Sequence, residues 1–285
     1  MPPKIVVPVD ETARSERAMP IAAALARRMR TSLVLVSVVE WPLREHPGHP
    51  GYHEGLMRPY PDLAAESVVI RSATDTATAI MSVCESDDII CIGADHTSAL
   101  AELVDTSVFF DIVRKSHRPV VAVGPHAVLP DDGVEFVVCV DGREHAEQGL
   151  GLIGSFAQSV GLRPLLVQVV DPKDGGGRIP ADVNESSYLH DLSVGEGPAH
   201  GTNWEVLHGD PTKAISAYSK TASVAAIGFA TDALDPLTRI FSPSLANELL
   251  RTVARPIVLI AVEHTPTVKR HTIAASGQAS AARHE

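Results

Sequence analysis

Short unbroken runs of Val and Ile recur along the chain, as in Ile5-Val-Val-Pro-Val, Leu33-Val-Leu-Val, Ile89-Ile-Cys-Ile and Pro119-Val-Val-Ala-Val. Runs that are apolar on both faces predict central strands of a parallel sheet covered on both sides. The first half carries five of them, near residues 4–10, 32–40, 65–72, 88–93 and 119–124. The second half carries five more, near 134–141, 164–171, 202–208, 223–228 and 256–262. Between them the spacing turns helical. From Thr12 to Arg30 the apolar positions Ala18, Ile21, Ala22, Leu25 and Met29 follow a 3.6-residue period, and the basic end (Arg27, Arg28, Arg30) suits the helix dipole. Pro20 costs that helix one hydrogen bond, tolerable only near its first turns. The second half places its equivalent helix from about Arg143 to Gly161, a helix-stop residue. Alternation lapses once in each half, over Glu40–Leu63 and Asp171–Gly201, two Pro/Gly/His-rich stretches that read as surface loops. Strand–helix alternation with short connections implies an α/β fold with helices on both faces of a parallel sheet.

The pattern is also written twice. Ile5-Val-Val-Pro-Val-Asp10 recurs as Phe136-Val-Val-Cys-Val-Asp141, and Leu33–Glu40 recurs as Pro164–Asp171, both at an offset of 131. Asp75-Thr-Ala-Thr-Ala-Ile80 then matches Asp210-Pro-Thr-Lys-Ala-Ile215, and Asp88–Gly93 matches Ser223–Gly228, both at 135. Arg118-Pro-Val-Val-Ala-Val123 matches Arg255-Pro-Ile-Val-Leu-Ile260 at 137. Five collinear blocks imply two homologous domains, 1–126 and 134–263, joined by a linker at 127–133. A length of 285 residues agrees with that at roughly 100–200 residues per domain. Residues 264–285 have almost no apolar periodicity and read as a disordered tail.

Charge narrows the partners. The chain has 24 basic and 35 acidic residues, a formal net charge of −11, and neither half has a basic excess. Binding to a nucleic-acid backbone or an anionic membrane surface needs the opposite sign, so neither is an expected partner. No apolar run reaches the length of a membrane span, and Met1-Pro-Pro-Lys-Ile-Val-Val passes into a strand-like run rather than a signal-peptide core. Three cysteines (Cys84, Cys91, Cys139) without a CxxC read as reduced core residues of a cytoplasmic protein.

An aspartate ends the first strand of each half, a loop follows the fourth strand's glycine, and a Ser-capped helix leads into Arg-Pro-Val/Ile-Val. In these features the chain resembles the universal stress protein family in its tandem two-domain form. The resemblance covers roughly residues 3–125 and 134–262. It implies two Rossmann-like domains, each a five-stranded parallel sheet of order 3-2-1-4-5, pairing through their fifth strands within one chain. Some members bind ATP at the carboxyl ends of strands 1 and 4, through Gly-x2-Gly-x9-Gly-[Ser/Thr] after strand 4. Glycines there let the backbone approach the phosphates, which face a helix N-terminus. Here the motif is half kept. Gly93 and Ser107 match in domain 1, with His96 and Thr106 replacing the other glycines. Gly228 and Ser242 match in domain 2, with Thr231 and Phe241 replacing them. Asp10 and Asp141 fall where the family's adenine/ribose-contacting aspartate lies, and Val38 and Val169 at its adenine-side valine. Phe241 would fill space that a phosphate needs, so domain 1, with the smaller Thr106, is the better nucleotide candidate.

Each of these residues has a plainer reading beside the functional one. Ser107 and Ser242 could contact phosphate or simply cap helices, and Ser242-Pro243 is a good cap followed by Pro at the first helical position. Asp10 and Asp141 could orient a ribose or hold the turn. His46, His49 and His53 could ligate zinc or nickel or belong to a solvated loop. Gly149-Leu-Gly151-Leu-Ile-Gly154 satisfies GxGxxG, but seven residues separate it from Asp141, which places the glycines within a helix as a small-residue packing face. No spacing assembles a nucleophile, base and orienting group. The expectation is therefore a non-enzymatic stress-response or regulatory module that works through a protein partner, with an adenine nucleotide in domain 1 and with self-association open. The alternatives are a slow ATPase using domain 1 and a nucleotide-free interaction scaffold.

Overall fold

A computed structural model of the chain describes residues 3–40, 51–72, 74–94, 105–116, 118–140, 144–170, 181–232 and 243–262. The first half supplies strands β1 (Ile5–Pro8), β2 (Leu33–Glu40), β3 (Ala65–Ser72), β4 (Ile89–Gly93) and β5 (Val120–Val123). The second supplies β6 (Glu135–Cys139), β7 (Arg163–Val170), β8 (Asn203–His208), β9 (Val224–Asp232) and β10 (Ile257–Val262). The interior strands β1, β4, β5 and β10 are buried at every residue, as their two-faced apolar runs require. The outer strands β3 and β8 are mostly exposed and carry charge (Glu66, Arg71, Glu205), which blunts a free edge against pairing with another chain.

All ten strands join one sheet in the order β3-β2-β1-β4-β5-β10-β9-β6-β7-β8. Each half is thus the expected 3-2-1-4-5 arrangement, parallel throughout. The halves meet where β10 runs antiparallel to β5, with Val258 opposite Val121. One apolar layer is covered by α2 (Ala18–Met29), α3 (Tyr52–Met57), α6 (Glu144–Ser159) and α7 (Ala181–Val194). The other lies under α4 (Thr76–Met81), α5 (Asp105–Ser116), α8 (Pro211–Tyr218) and α9 (Pro243–Thr252). Both layers take residues from both halves, Val121 with Val258 in one and Val120 with Leu259 in the other, so the core runs unbroken across the seam. Arg28 adds a clasp by donating to the carbonyls of Pro130 and Gly133 at 3.2 and 3.1 Å, while Val128 N–H donates to the Ala254 carbonyl at 3.0 Å.

The helix expected over 12–30 is broken in two. Thr12 caps α1 (Ala13–Glu16), accepting from Ser15 N–H, and α2 restarts after Arg17. Pro20 has no N–H to give the Glu16 carbonyl, so the ladder stops there and Pro20 falls in the first turn of α2. The matched aspartates Asp75 and Asp210 both cap their helices, accepting from Thr78 N–H at 2.9 Å and Lys213 N–H at 3.0 Å. Pro243 is the first residue of α9, as expected, and Gly161 takes the left-handed conformation (φ +67°) just after α6.

Three expectations need correction. The stretches read as loops contain α3 and α7. Among the described side chains of α7, Tyr188, Leu189 and Leu192 reach the core, against a polar background that hides a helical period. The GxGxxG glycines do lie inside α6, yet only Gly149 is there for packing. A Cβ on it would sit 2.3 Å from that of Ala230, whereas one on Gly154 would meet nothing within 4 Å. Finally, β9 continues four residues past Gly228. The proposed tail, 264–285, lies outside the described residues. Among those described, no helix is long and apolar enough to cross a membrane.

Candidate functional site

In a doubly wound sheet a ligand crevice opens at the carboxyl ends of the strands where connections leave in opposite directions. In the first half that point lies at β1, between β2 and β4. Pro8 is in register with Val36, and Val9 N–H donates to the Val36 carbonyl at 2.9 Å. Continuing the same register sets Asp10 beside Val38. Val6 pairs with Ile90, which by the same continuation brings Gly93 level with Val9. Three of the residues singled out in the sequence thus converge on one mouth. Thr106 and Ser107 occupy the second and third positions of α5, the next helix along the chain, so Ser107 is inside the helix rather than its cap.

Asp10 is engaged locally. Its Oδ1 accepts from Thr12 N–H at 3.2 Å and from the Thr12 hydroxyl at 2.5 Å, and its Oδ2 meets Arg14 at 3.3 Å. Partial burial raises its pKa, but hydrogen bonds from Ser15 and Thr12, with Arg14 close by, outweigh that and hold the carboxyl below its ordinary value. It therefore stays ionised at neutral pH and holds the turn. Half its side-chain surface remains open, so an acceptor edge still faces solvent.

Gly93 is fixed by packing. A Cβ there would lie 2.0 Å from the Arg14 carbonyl oxygen, so the glycine lets α1 close over the end of β4. Across the mouth stands Tyr52, from a segment expected to be loop. Its hydroxyl accepts from Glu11 N–H at 3.1 Å and donates to Glu16 Oε1 at 3.1 Å. Burial and the Glu16 charge push this phenol up to about 12, so it remains a donor. Glu11 itself has φ +64°, unusual for a side-chain-bearing residue, and Tyr52 steadies that conformation. Sequence reasoning missed Tyr52, one of three aromatics (with Trp41 and Tyr60) in a Pro/Gly-rich stretch that carries no helical period.

The second half is built differently. Gly228 sits mid-strand, in register with Val138 rather than Val140, and the Phe136 ring fills the space beside it. The residue level with Val140, and with Ile260 on the other side, is Ala230. The structural counterpart of Gly93 is therefore Ala230, and the matched glycine lies two residues deeper. An irregularity in the β6–β9 pairing at Glu135/Phe136 accompanies that shift. Val169 is half-buried on the α4/α5/α8/α9 side of the sheet, as Val38 is. Asp141 and Ser242 lie outside the described residues.

His53 is the described member of the histidine cluster, since His46 and His49 lie outside the described residues. It is buried, with Nε2 2.8 Å from Ser37 Oγ and Nδ1 2.6 Å from Ser67 Oγ. The Ser37 hydroxyl already donates to the Val9 carbonyl at 2.9 Å, so it accepts from His53. The network thereby assigns the proton to Nε2 and makes Nδ1 the acceptor from Ser67. Both nitrogens are used and the side chain is buried within α3, which corrects the solvated-loop reading of His53 and leaves neither nitrogen open to a metal. Among the described residues no group of three His, Cys, Asp or Glu is placed to hold a metal ion.

Burial holds the His53 pKa below 6.5. The unfolded chain then binds the extra proton first, so this contribution to stability is complete above about pH 6.5 and declines as pH falls toward the lowered folded-state pKa. Urea unfolding midpoints should fall with acidity across that window, and His53→Gln should flatten this part of the profile. An equal slope in the variant would assign it to other groups.

The three cysteines are free. Cys91 is fully buried, and Cys84 and Cys139 are partly buried and pack against the core. Burial pushes the Cys84 and Cys139 thiols up to about 11 and about 12, and Cys91 higher still. None is a ready nucleophile.

The sequence model of the universal stress protein family matches residues 1–124. Among solved structures, a universal stress protein from Archaeoglobus fulgidus DSM 4304 superposes with a TM-score of 0.61 at 15% identity, covering 90% of this chain and 98% of that one. A functionally unknown protein from Pseudomonas aeruginosa PAO1 gives 0.57 at 14% identity, over 90% and 92% of the two chains. A putative universal stress protein from Pseudomonas aeruginosa UCBPP-PA14 gives 0.55 at 13%, over 90% and 92%. At those identities the likeness is one of fold. Among curated proteins no sequence matches the chain significantly.

Proposed function

With residues 1–124 belonging to the universal stress protein family, and the second half repeating the same sheet order, we propose that the chain is a non-enzymatic, cytoplasmic regulatory module of the stress response whose first domain takes an adenine nucleotide. The observation that carries this reading is the convergence of Asp10, Val38 and Gly93 at the switch point of the first half-sheet. Val38 offers an apolar flank for a base and the open edge of Asp10 offers acceptors for ribose hydroxyls. The N-terminal turn of α5, which holds Thr106 and Ser107, offers backbone N–H groups for a phosphate. The second domain is the weaker nucleotide site, because its matched glycine lies inside the sheet beneath Phe136. The Asp10 carboxylate spends its contacts on the turn and on Arg14, an arrangement suited to holding a ligand rather than to activating water.

Function would then run through a protein partner that senses the mouth of domain 1. A nucleotide can bias that surface only through contacts that differ between its conformations. Mass spectrometry of small molecules released from freshly purified protein tests the reading. ATP, ADP or AMP at close to one per chain is the expected result. A nucleotide-free preparation that also fails to take up added ATP would leave an interaction scaffold. Steady phosphate release by pure protein, lost in Asp10→Asn, would make the domain a slow ATPase.

A further inference from the structure

Away from that mouth, a cavity of about 490 Å3 opens between α3, the turn after it and the face of β2 and β3. That volume lies within the range of small-molecule sites, about 300–1,000 Å3. Leu35, Met57, Leu63 and Val69 form its apolar wall. Val69 is 46% exposed, so this apolar surface is not yet covered by the fold.

The polar groups on the wall share one property. His53 has both ring nitrogens occupied, by Ser37 and Ser67. Ser67 has spent its only proton on His53 Nδ1, and its oxygen lone pairs can serve only as acceptors. Glu54 brings a carboxylate, whereas Glu66 borders the space by its backbone, because side chains alternate along β3 and its carboxylate falls on the opposite face of the sheet with Val34, Val68 and Ile70. Lys4 Nζ reaches Glu66 Oε2 at 3.2 Å, an exposed pair, and Glu54 makes no ion pair among the described residues. Tyr60 contributes a phenol that can act in either sense. Among the described residues no Lys, Arg, Asn or Gln lines the space. An apolar wall whose polar groups are acceptors, one of them anionic, complements a ligand with an apolar body and a charged N–H donor. A phosphate or carboxylate would meet like charge.

We propose that this cavity is a second ligand site, separate from the nucleotide mouth, that takes a small organic cation of the aryl- or alkyl-amine class. Its ammonium would lie between Glu54 and Ser67, with the apolar body against Met57, Leu63 and Val69.

The test compares three probes of one shape: 1-naphthylmethylammonium, 1-naphthalenemethanol and 1-naphthoate, titrated into the full chain and followed by the Met57 methyl resonance. The amine should saturate with a dissociation constant of about 0.1–1 mM, as expected for a dozen heavy atoms. The alcohol should bind about tenfold more weakly, the scale of one exposed charge-assisted contact, and the carboxylate should not saturate. Glu54→Gln should weaken the amine about tenfold and leave the alcohol unchanged, whereas Glu66→Gln, on the far face of the sheet, should change neither. Val69→Trp, which fills the cavity from an exposed strand position, should abolish binding of both. Equal binding of all three probes would overturn the proposal. So would amine binding that leaves Met57 unmoved, binding insensitive to Glu54→Gln, or no amine binding at about 10 mM, well above the range that ligand efficiency predicts.

Discussion

Gly93→Ala should destabilise the chain by about 3 kcal/mol or more, although it adds a single methyl group. The added Cβ would lie 2.0 Å from the Arg14 carbonyl oxygen and 2.8 Å from its carbon, and both are backbone atoms. Relief cannot come from a side-chain rotation. Either β4 or α1 must move, and α1 is tied to β1 through Thr12, Ser15 and Asp10. Overpacking of this kind costs about 1–3 kcal/mol where side chains can yield, and more where only backbone can. Gly154→Ala is the matched control. It lies within a helix and its Cβ would meet nothing within 4 Å, so it should stabilise by about 0.5–1 kcal/mol through helix propensity alone. Urea denaturation of the two variants would give midpoint shifts of opposite sign. Equal shifts would mean that α1 does not sit against β4.

Gly228→Ala should cost about 2 kcal/mol, and the loss should be partly reversed by Phe136→Leu in the same chain. The Cβ would lie 2.5 Å from the tip of the Phe136 ring. That ring is fully buried and packs against Phe156, with centroids 5.4 Å apart, so it has little room to withdraw. Phe136→Leu alone would open space and cost about 1 kcal/mol; the double variant should be clearly more stable than the two losses added together. Strict additivity would place Gly228 away from Phe136 and return it to the strand end, where the sequence match had it.

That glycine also shows where reading the chain as text runs out. Val/Ile runs located the eight inner strands, because burial on both faces leaves little freedom in composition, and the repeated blocks located the second copy of the fold. The alignment of Gly93 with Gly228 was nonetheless two residues off. A slip of two keeps every side chain on its own face of the sheet, so hydrophobic patterning cannot detect it. Register is set here by the irregular pairing at Glu135/Phe136 and by one ring filling the space beside a glycine. Helices α3 and α7 escaped for a related reason. Each is held by a few contacts, such as Tyr52 on Glu11 and Glu16 or Leu189 in the core, rather than by an apolar stripe. The mouth of the first domain was legible because its residues end strands, and strand ends follow from the runs. The carboxylate's local partners were not, since Arg14 reaches Asp10 only once Pro20 has cut the helix short and α1 has formed as a separate turn.

The most direct measurement is calorimetric titration of Mg-ATP into the full chain, compared with Asp10→Asn and Asp141→Asn. Asparagine keeps one acceptor for Thr12 and so preserves the turn, while removing the charge and one acceptor oxygen from the mouth. One saturable site per chain, weakened at least about tenfold by Asp10→Asn and untouched by Asp141→Asn, is the expected result. Absence of saturable heat in the unaltered chain, or a loss that follows Asp141 instead of Asp10, would contradict it.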